Sequence, residues 1–280
     1  MTGHSAGVPV TATSPMLSLT GHHALVTGST KGVGLAIAQS LARAGANVLL
    51  HCRKDSPEAQ QALSTCRAEG VEASLVTADL AGETESCVED LFAQAIAANG
   101  EIDLLVNNAG TYIDKPFLEM DLATFDYTMR LNVYSNYFLT QRFARHWVEN
   151  QVAGRVLLIG SINGRLAEQV HSAYDTSKGA VEMMVKTLCV SLAPHNIRVN
   201  GLAPGLVYTP LTAPALDNPD FLKWMQLHTP NRQVPGPEVC GEGAVYLLSD
   251  EAVHVHGQML TVDGGMSSWQ QPDPPDLDGG

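Results

Sequence analysis

Short apolar runs alternate with longer amphipathic stretches along most of the chain. The runs are His23–Thr27, Asn47–His51, Ala73–Thr77, Leu104–Asn107, Arg155–Ile159, Arg198–Leu202 and Gln258–Val262. Most are β-branched or Leu-rich across their whole length, which predicts strands buried on both faces. Val33–Ala44, Glu83–Ala98, Leu122–Glu149 and Ala173–Leu192 read as helices between them. In the last, Val181, Met184, Val185, Leu188 and Leu192 make one apolar stripe at helical spacing. Strand–helix alternation of this kind predicts one doubly wound α/β domain. Its sheet is parallel, mostly seven-stranded, and carries helices on both faces. Ligands bind such sheets at the carboxyl ends of the strands, so the chemistry is sought just after each strand.

Residues 1–18 are rich in Thr, Ser, Gly and Pro, and residues 269–280 contain QQPDPPDLDGG. Neither stretch can bury apolar surface, so both are expected to be flexible tails around a domain over 19–268. With 45% apolar and 16% charged residues in 280, the chain has material for a large core. Its net charge of −13 repels phosphate backbones and anionic lipid. That argues against a nucleic-acid or membrane-surface role. No run approaches the ~18 apolar residues of a membrane span, and no leader peptide is expected. Cys52, Cys66, Cys87, Cys189 and Cys240 are odd in number, widely spaced and lack CxxC. They predict neither a disulfide framework nor zinc, and point to a reducing cytoplasm. The histidines show no ligand spacing, so no catalytic metal is expected.

The first strand runs into Thr27-Gly28-Ser29-Thr30-Lys31-Gly32-Val33-Gly34 and then the first helix. Glycines let the backbone approach a diphosphate, and the helix start offers unpaired N–H groups. The spacing is G-x-x-x-G-x-G. Such a loop alone can be a plain tight turn; its place between strand and helix favours a dinucleotide. An acidic residue at the end of the second strand would hold the ribose 2′-OH of NAD. Here that strand ends His51-Cys52-Arg53-Lys54. Arg53 can grip a 2′-phosphate with two parallel bonds, and Lys31 adds a second cation. The alternative for Arg53 and Lys54 is a solvated loop charge. The preferred cofactor is NADP(H), with NAD(H) possible.

These motifs resemble those of the short-chain dehydrogenase/reductase family over about Leu19–Met266. Thr27–Gly34 is similar to its TGxxxGxG motif, and Asn107-Asn108-Ala109-Gly110 to its NNAG motif. Asp79-Leu80 resembles its adenine contact, and Pro204-Gly205 with Thr209 its nicotinamide-side segment. Asn132, Ser161, Tyr174 and Lys178 stand where its tetrad stands. The resemblance implies a Rossmann-type fold and hydride transfer between an alcohol and a carbonyl. It further implies that Asn107, Ala109 and Gly110 support the cofactor ribose, and that Tyr174 and Lys178 also contact the cofactor, Lys178 holding the nicotinamide ribose. Pro204, Gly205, Val207 and Thr209 would bound the nicotinamide.

Tyr174 and Lys178 are four apart on one helix and share a face. A nearby ammonium lowers a phenol's pKa, so Lys178 is expected to tune Tyr174 as the acid/base. Such a pair is also common on helix surfaces. Ser161 follows the fifth strand and can polarise a substrate carbonyl. Asn132 is a poor mid-helix residue and marks an expected kink with a free carbonyl. In the resembled family that carbonyl holds a water leading from the lysine to solvent. The Pro-rich segment 205–235 is expected to be a lid. Asn163, Glu168, His171 and Tyr208 are candidate pocket residues, and the first three suit a polyhydroxylated substrate. Sugar dehydrogenases and 3-oxoacyl-carrier-protein reductases are the nearest types. The latter would need more cations than Arg130, Arg142, Arg145 and Arg165 supply. A non-catalytic NADP(H) sensor and an epimerase or dehydratase stay open as other classes. The family resemblance also implies a homotetramer.

Overall fold

The computed structural model describes residues 17–269. The expected tails lie outside them except for Leu17, Ser18 and Trp269, and Leu17 packs on the core. The strands are β1 His23–Val26, β2 Asn47–Cys52, β3 Ala73–Thr77, β4 Leu104–Asn107, β5 Arg155–Ile159, β6 Arg198–Pro204 and β7 Met259–Val262. They form one seven-stranded sheet in the order β3-β2-β1-β4-β5-β6-β7, every neighbouring pair parallel. The order reverses between β1 and β4, which opens a crevice at their carboxyl ends.

The helices are α1 Gly32–Arg43, α2 Pro57–Arg67, α3 Thr84–Ala98, α4 Leu122–Met129, α5 Ser135–Asn150, α6 Ser172–Leu192, α7 Ala213–Leu216, α8 Pro219–Leu227 and α9 Gly241–Leu248. One face of the sheet buries Val26, Leu50, Val106 and Leu157 against Ile37 and Leu41 of α1, Leu63 of α2 and Leu248 of α9. The other buries Leu25, Leu105, Val156 and Leu158 against Leu91 of α3, Phe143 and Trp147 of α5, and Val181 and Val185 of α6. Alternate residues of each strand thus enter opposite layers, which is why whole runs are apolar.

The single helix expected over Leu122–Glu149 is broken. Five residues, Arg130–Tyr134, form a π turn between α4 and α5. One wide turn shifts the side chains that follow, and it falls at Asn132, the residue that disfavours regular helix. No helix among the described residues is long and apolar enough to cross a membrane.

Candidate active site

The loop after β1 is built for close approach. Gly28 and Gly32 have φ of +61° and +56°, a region favouring glycine. A Cβ on Gly34 would lie 2.3 Å from Asn108 Nδ2 and 2.4 Å from the Gly28 carbonyl. Lys31, at the start of α1, gives no side-chain cap. The first N–H groups of α1 therefore point, with the helix dipole, at the crevice. That combination fits a diphosphate.

Residues overlooked in the sequence lock this loop. Thr27 Oγ1 accepts the N–H groups of Asn108 at 2.9 Å and Ala109 at 3.0 Å. Asn108 Nδ2 donates to the carbonyls of Thr27 and Gly28 at 2.9 and 3.0 Å. His51 Nδ1 accepts the Gly28 N–H at 3.1 Å, and its Nε2 donates to the Ala78 carbonyl at 3.1 Å. Burial pushes the pKa of His51 down to about 4, so the ring is neutral at pH 7. The NNAG motif signals Asn108; nothing local distinguishes His51 from an ordinary core histidine.

Asn107 departs from expectation. Its side chain is fully buried and donates to Thr140 Oγ1 of α5 at 2.9 Å, away from the crevice. Only its backbone stays at the β4 end, followed by Ala109 and Gly110. Asp79 is exposed and Leu80 buried at the β3 end. Thr30 lies in the glycine loop, and Val33 in the first turn of α1. Lys31 and Arg53 are exposed and, with Lys54, make no ion pair among the described residues. Ser29 N donates to the His51 carbonyl, and His51 N to Ser29 Oγ, both at 3.0 Å. Lys31 and Arg53 each lie two residues beyond that clasp, at one edge of the crevice.

At the β5 end, Ser161 Oγ accepts the Asn163 N–H at 3.1 Å and stands within hydrogen-bonding reach of the Tyr174 phenol. Lys178 Nζ donates to the Ile159 carbonyl at 2.9 Å and lies 5.6 Å from the Tyr174 ring centroid. The tetrad comes together, yet Lys178 does not acidify the phenol here. Burial pushes Tyr174 up to about 12, against the bond from Ser161 that favours the phenolate. Burial also drives Lys178 down to about 8. Each group lacks the solvation its charge needs, so the pair rests with the phenol protonated.

Asn132 is buried in the π turn. Its Nδ2 donates to the Thr111 carbonyl at 2.8 Å and to Ser177 Oγ at 2.9 Å, while its Oδ1 accepts Thr111 N–H at 2.9 Å. The expected free carbonyl is already engaged: it accepts Asn136 Nδ2 at 2.8 Å. One lone pair remains for a water. Asn132 thus ties α4–α5 to the β4 loop and to α6.

The pocket candidates separate. His171 Nε2 lies 2.8 Å from Asp114 Oδ1, and its Nδ1 3.3 Å from Glu168 Oε1. Chiefly through Glu168, its pKa rises to about 8. Asn163 is buried and donates to Glu168 Oε1 at 3.1 Å and Asp175 Oδ1 at 2.9 Å, which shapes the loop. Tyr208 does not join them: its hydroxyl donates to Asp217 within the 205–235 segment. Tyr112, missed in the sequence, takes that place. Its ring centroid is 5.2 Å from His171 and 5.9 Å from Tyr174, and its hydroxyl donates to the Leu211 carbonyl of the 205–235 segment at 3.0 Å. Pro204 at the end of β6 is buried, as are Val207 and Thr209 in the 205–235 segment. A Cβ on Gly205 would meet Asp263 at 2.6 Å, and one on Gly32 would meet Thr209 at 3.5 Å. The segment thus starts against the glycine loop. Among the described residues no cluster of three or more His, Cys, Asp or Glu could hold a metal ion.

Comparisons agree with this geometry. The family described as Enoyl-(Acyl carrier protein) reductase matches residues 28–267. An L-rhamnose 1-dehydrogenase (NADP(+)) of Thermoplasma acidophilum is 35% identical over 252 residues, covering 90% of this chain and 98% of that protein. A 5-keto-D-gluconate 5-reductase of Escherichia coli is 33% identical over 253 residues, covering 90% and 97%. A gluconate 5-dehydrogenase from Burkholderia cenocepacia, solved in complex with NADP and tartrate, superposes with a TM-score of 0.83 at 33% identity. It covers 90% of this chain and 97% of that one.

Proposed function

The chain belongs to the short-chain dehydrogenase/reductase family, and from that premise we propose how its site residues divide the work. It is an NADP(H)-dependent oxidoreductase that interconverts an alcohol and a carbonyl on a sugar-like substrate. The nicotinamide of a bound NADP(H) supplies or accepts the hydride. Tyr174 gives its phenolic proton to the substrate oxygen in reduction and takes it back in oxidation. Ser161 donates to the same oxygen and polarises the carbonyl. Lys178, when protonated, stabilises the phenolate that Tyr174 leaves behind. Asn132 holds the α4–α5 break in register with α6, where Tyr174 and Lys178 sit.

For the dinucleotide, the chain provides the loop Gly28, Thr30, Gly32 and Gly34 with the first turn at Val33. Asp79 and Leu80 lie on the adenine side; Ala109 and Gly110, with only the backbone of Asn107, lie beside the ribose. Pro204, Gly205, Val207 and Thr209 lie on the nicotinamide side. Lys31 and Arg53 take the 2′-phosphate, supported by their freedom from ion pairs in a protein of net charge −13. A 3-oxoacyl-carrier-protein substrate fits less well. Arg130 pairs with Asp126, Arg142 with Glu89 and Arg165 with Glu182, so of the four arginines only exposed Arg145 is left unpaired among the described residues for an acidic carrier.

We further propose a cytoplasmic homotetramer. Tyr134 at the end of the π turn and Tyr137, Phe138 and Val148 along α5, with Met183 and Val190 on α6, stand exposed. Two such helix faces suit isologous packing against copies of this chain. The five cysteines are all unpaired, which suits a reducing compartment.

One observation carries the catalytic reading: Ser161, Tyr174 and buried Lys178 converge at the carboxyl edge beside the glycine loop. Tyr174→Phe tests it. Loss of the proton should lower turnover by about 10²–10⁴-fold. NADPH affinity, read by fluorescence titration, should hold within about twofold, since no dinucleotide phosphate contact involves the phenol. Turnover near the wild-type rate overturns the assignment.

A further inference from the structure

The wall beside Tyr174 bears on which sugar-like substrate this site takes, an inference that rests on the oxidoreductase reading above. We propose that the enzyme acts on uncharged polyhydroxylated substrates, such as aldoses, and discriminates against the corresponding sugar acids. The argument starts from which donors remain free. A bound carboxylate needs a cation or unspent N–H groups facing it. Lys178, the cation nearest Tyr174, is buried and donates to the Ile159 carbonyl at 2.9 Å; the next, His171, has Nε2 2.8 Å from Asp114 and its buried Nδ1 3.3 Å from Glu168. Lys115 is bound to Asp121, and Arg165 to Glu182 at 2.7 Å. Arg232 of the lid donates to the Leu227 carbonyl at 2.7 Å and lies over the Trp269 ring. Lys223 stands exposed on α8 and bonds none of these residues. Asn163 has spent its amide hydrogens on Glu168 and Asp175.

Acceptors, by contrast, are available. The side chains of Asp114 and Glu168 are 60% and 61% exposed, with oxygens beyond those facing His171. Carboxylates with free lone pairs accept hydrogen bonds from vicinal hydroxyls. The Tyr112 ring, set between His171 and Tyr174, offers an apolar face for the C–H side of a sugar. Asp114, Glu168 and Asp175 outweigh the single charge of His171, even fully protonated. Such a wall attracts hydroxyl donors and repels a second carboxylate. The relatives handle both kinds of compound, an L-rhamnose dehydrogenase and a 5-keto-D-gluconate reductase among them, so the names do not decide the matter.

The experiment compares matched pairs, D-glucose with D-gluconate and L-rhamnose with L-rhamnonate, as reductants of NADP+ at fixed ionic strength. For the better pair, kcat/KM for the aldose should exceed that for its acid by about tenfold or more. Asp114→Asn with Glu168→Gln should narrow that ratio several-fold. NADPH affinity in the same variant should be unchanged by fluorescence titration, which shows that the fold and cofactor site persist. Preference for the acids, or a ratio the double variant leaves unmoved, overturns the proposal while the oxidoreductase reading stands. Turnover of none of the four overturns the sugar reading and this inference with it.

Discussion

Gly28 donates its backbone N–H to His51 Nδ1 at 3.1 Å, so a buried imidazole on β2 sets the conformation of the first phosphate-loop glycine. The same ring reaches the Ala78 carbonyl just before Asp79 and Leu80. One side chain therefore braces two segments that serve the dinucleotide. His51→Leu leaves the Gly28 N–H and the Ala78 carbonyl without partners, a cost of about 1–3 kcal/mol for each buried group. NADPH should bind more weakly while turnover at saturating cofactor changes little. His51→Asn, able to accept and donate, should recover part of the loss. Fluorescence titration of the variants checks this; unchanged affinity in His51→Leu would refute the bracing role.

His51 also predicts acid sensitivity. Its folded pKa is about 4 against 6.5 for a free histidine. Because the folded value is depressed, the unfolded chain binds the proton more readily below pH 6.5. Stability is therefore whole above that pH and falls as pH drops toward about 4, by up to about 3 kcal/mol. Thermal melts between pH 7.5 and 4.5 should show the midpoint falling. In His51→Leu the fall should be smaller, since only the wild type must keep this ring neutral.

The proposed grip of Arg53 on the 2′-phosphate predicts that cofactor choice depends on it. Arg53→Asp exchanges a cation for a carboxylate at the 2′-phosphate edge. NADPH affinity should drop by about 10–100-fold, the worth of one or two charged hydrogen bonds. NADH affinity should rise, because the new carboxylate can accept from a ribose 2′-OH. Paired titrations with both nucleotides measure the swap, and equal affinity of the wild type for the two would refute the role of Arg53.

The strands could be read from the chain almost residue for residue because β1, β2 and β4–β6 are buried on both faces, and double burial leaves a nearly uninterrupted apolar run; the edge strand β3 is only partly buried. α6 was equally plain from its stripe at Val181, Met184, Val185 and Leu188. Helices α2 and α8 were missed although both begin with strong start signals. Ser56 and Asn218 cap them through side-chain bonds, with Pro57 and Pro219 at the first turn. α9 is short and set among glycines. The tetrad was legible as a set, but its electrostatics were not. Whether Lys178 lowers Tyr174, or burial instead raises the phenol and lowers the lysine, depends on packing from β5 and the π turn, which spacing along α6 does not encode. The same holds for Asn107 and Tyr208, whose partners, Thr140 and Asp217, are chosen by tertiary contacts.

Packing beneath the site gives a prediction of stability alone. Trp147 is fully buried and donates its indole N–H to the Ile102 carbonyl at 2.7 Å. Gly154 lies so close that a Cβ there would fall 2.1 Å from the Trp147 ring. Gly154→Ala must push the indole or the chain entering β5, at about 1–3 kcal/mol. The melting midpoint should fall by several degrees. NADPH affinity measured well below that midpoint should stay at the wild-type value, since the clash is at the opposite end of β5 from Ser161.

The pH profile tests the central pair. Burial holds Lys178 near pKa 8 and Tyr174 near 12, so one proton leaves the pair around pH 8. That proton belongs to the pair: its loss gives neutral lysine with phenol, in exchange with ammonium beside phenolate. The second arrangement is the one able to accept a proton from an alcohol. Oxidation by NADP+ should therefore rise with pH through about 8, and carbonyl reduction should fall across the same range. Lys178→Met removes the exchangeable proton and leaves Tyr174 as an isolated buried phenol. Its oxidation rate should be low, with no bend near pH 8, and should climb steadily toward the phenol's own pKa near 12. A limb near pH 8 that survives in Lys178→Met would assign the titration to another group, with His171, at about 8, the next to mutate.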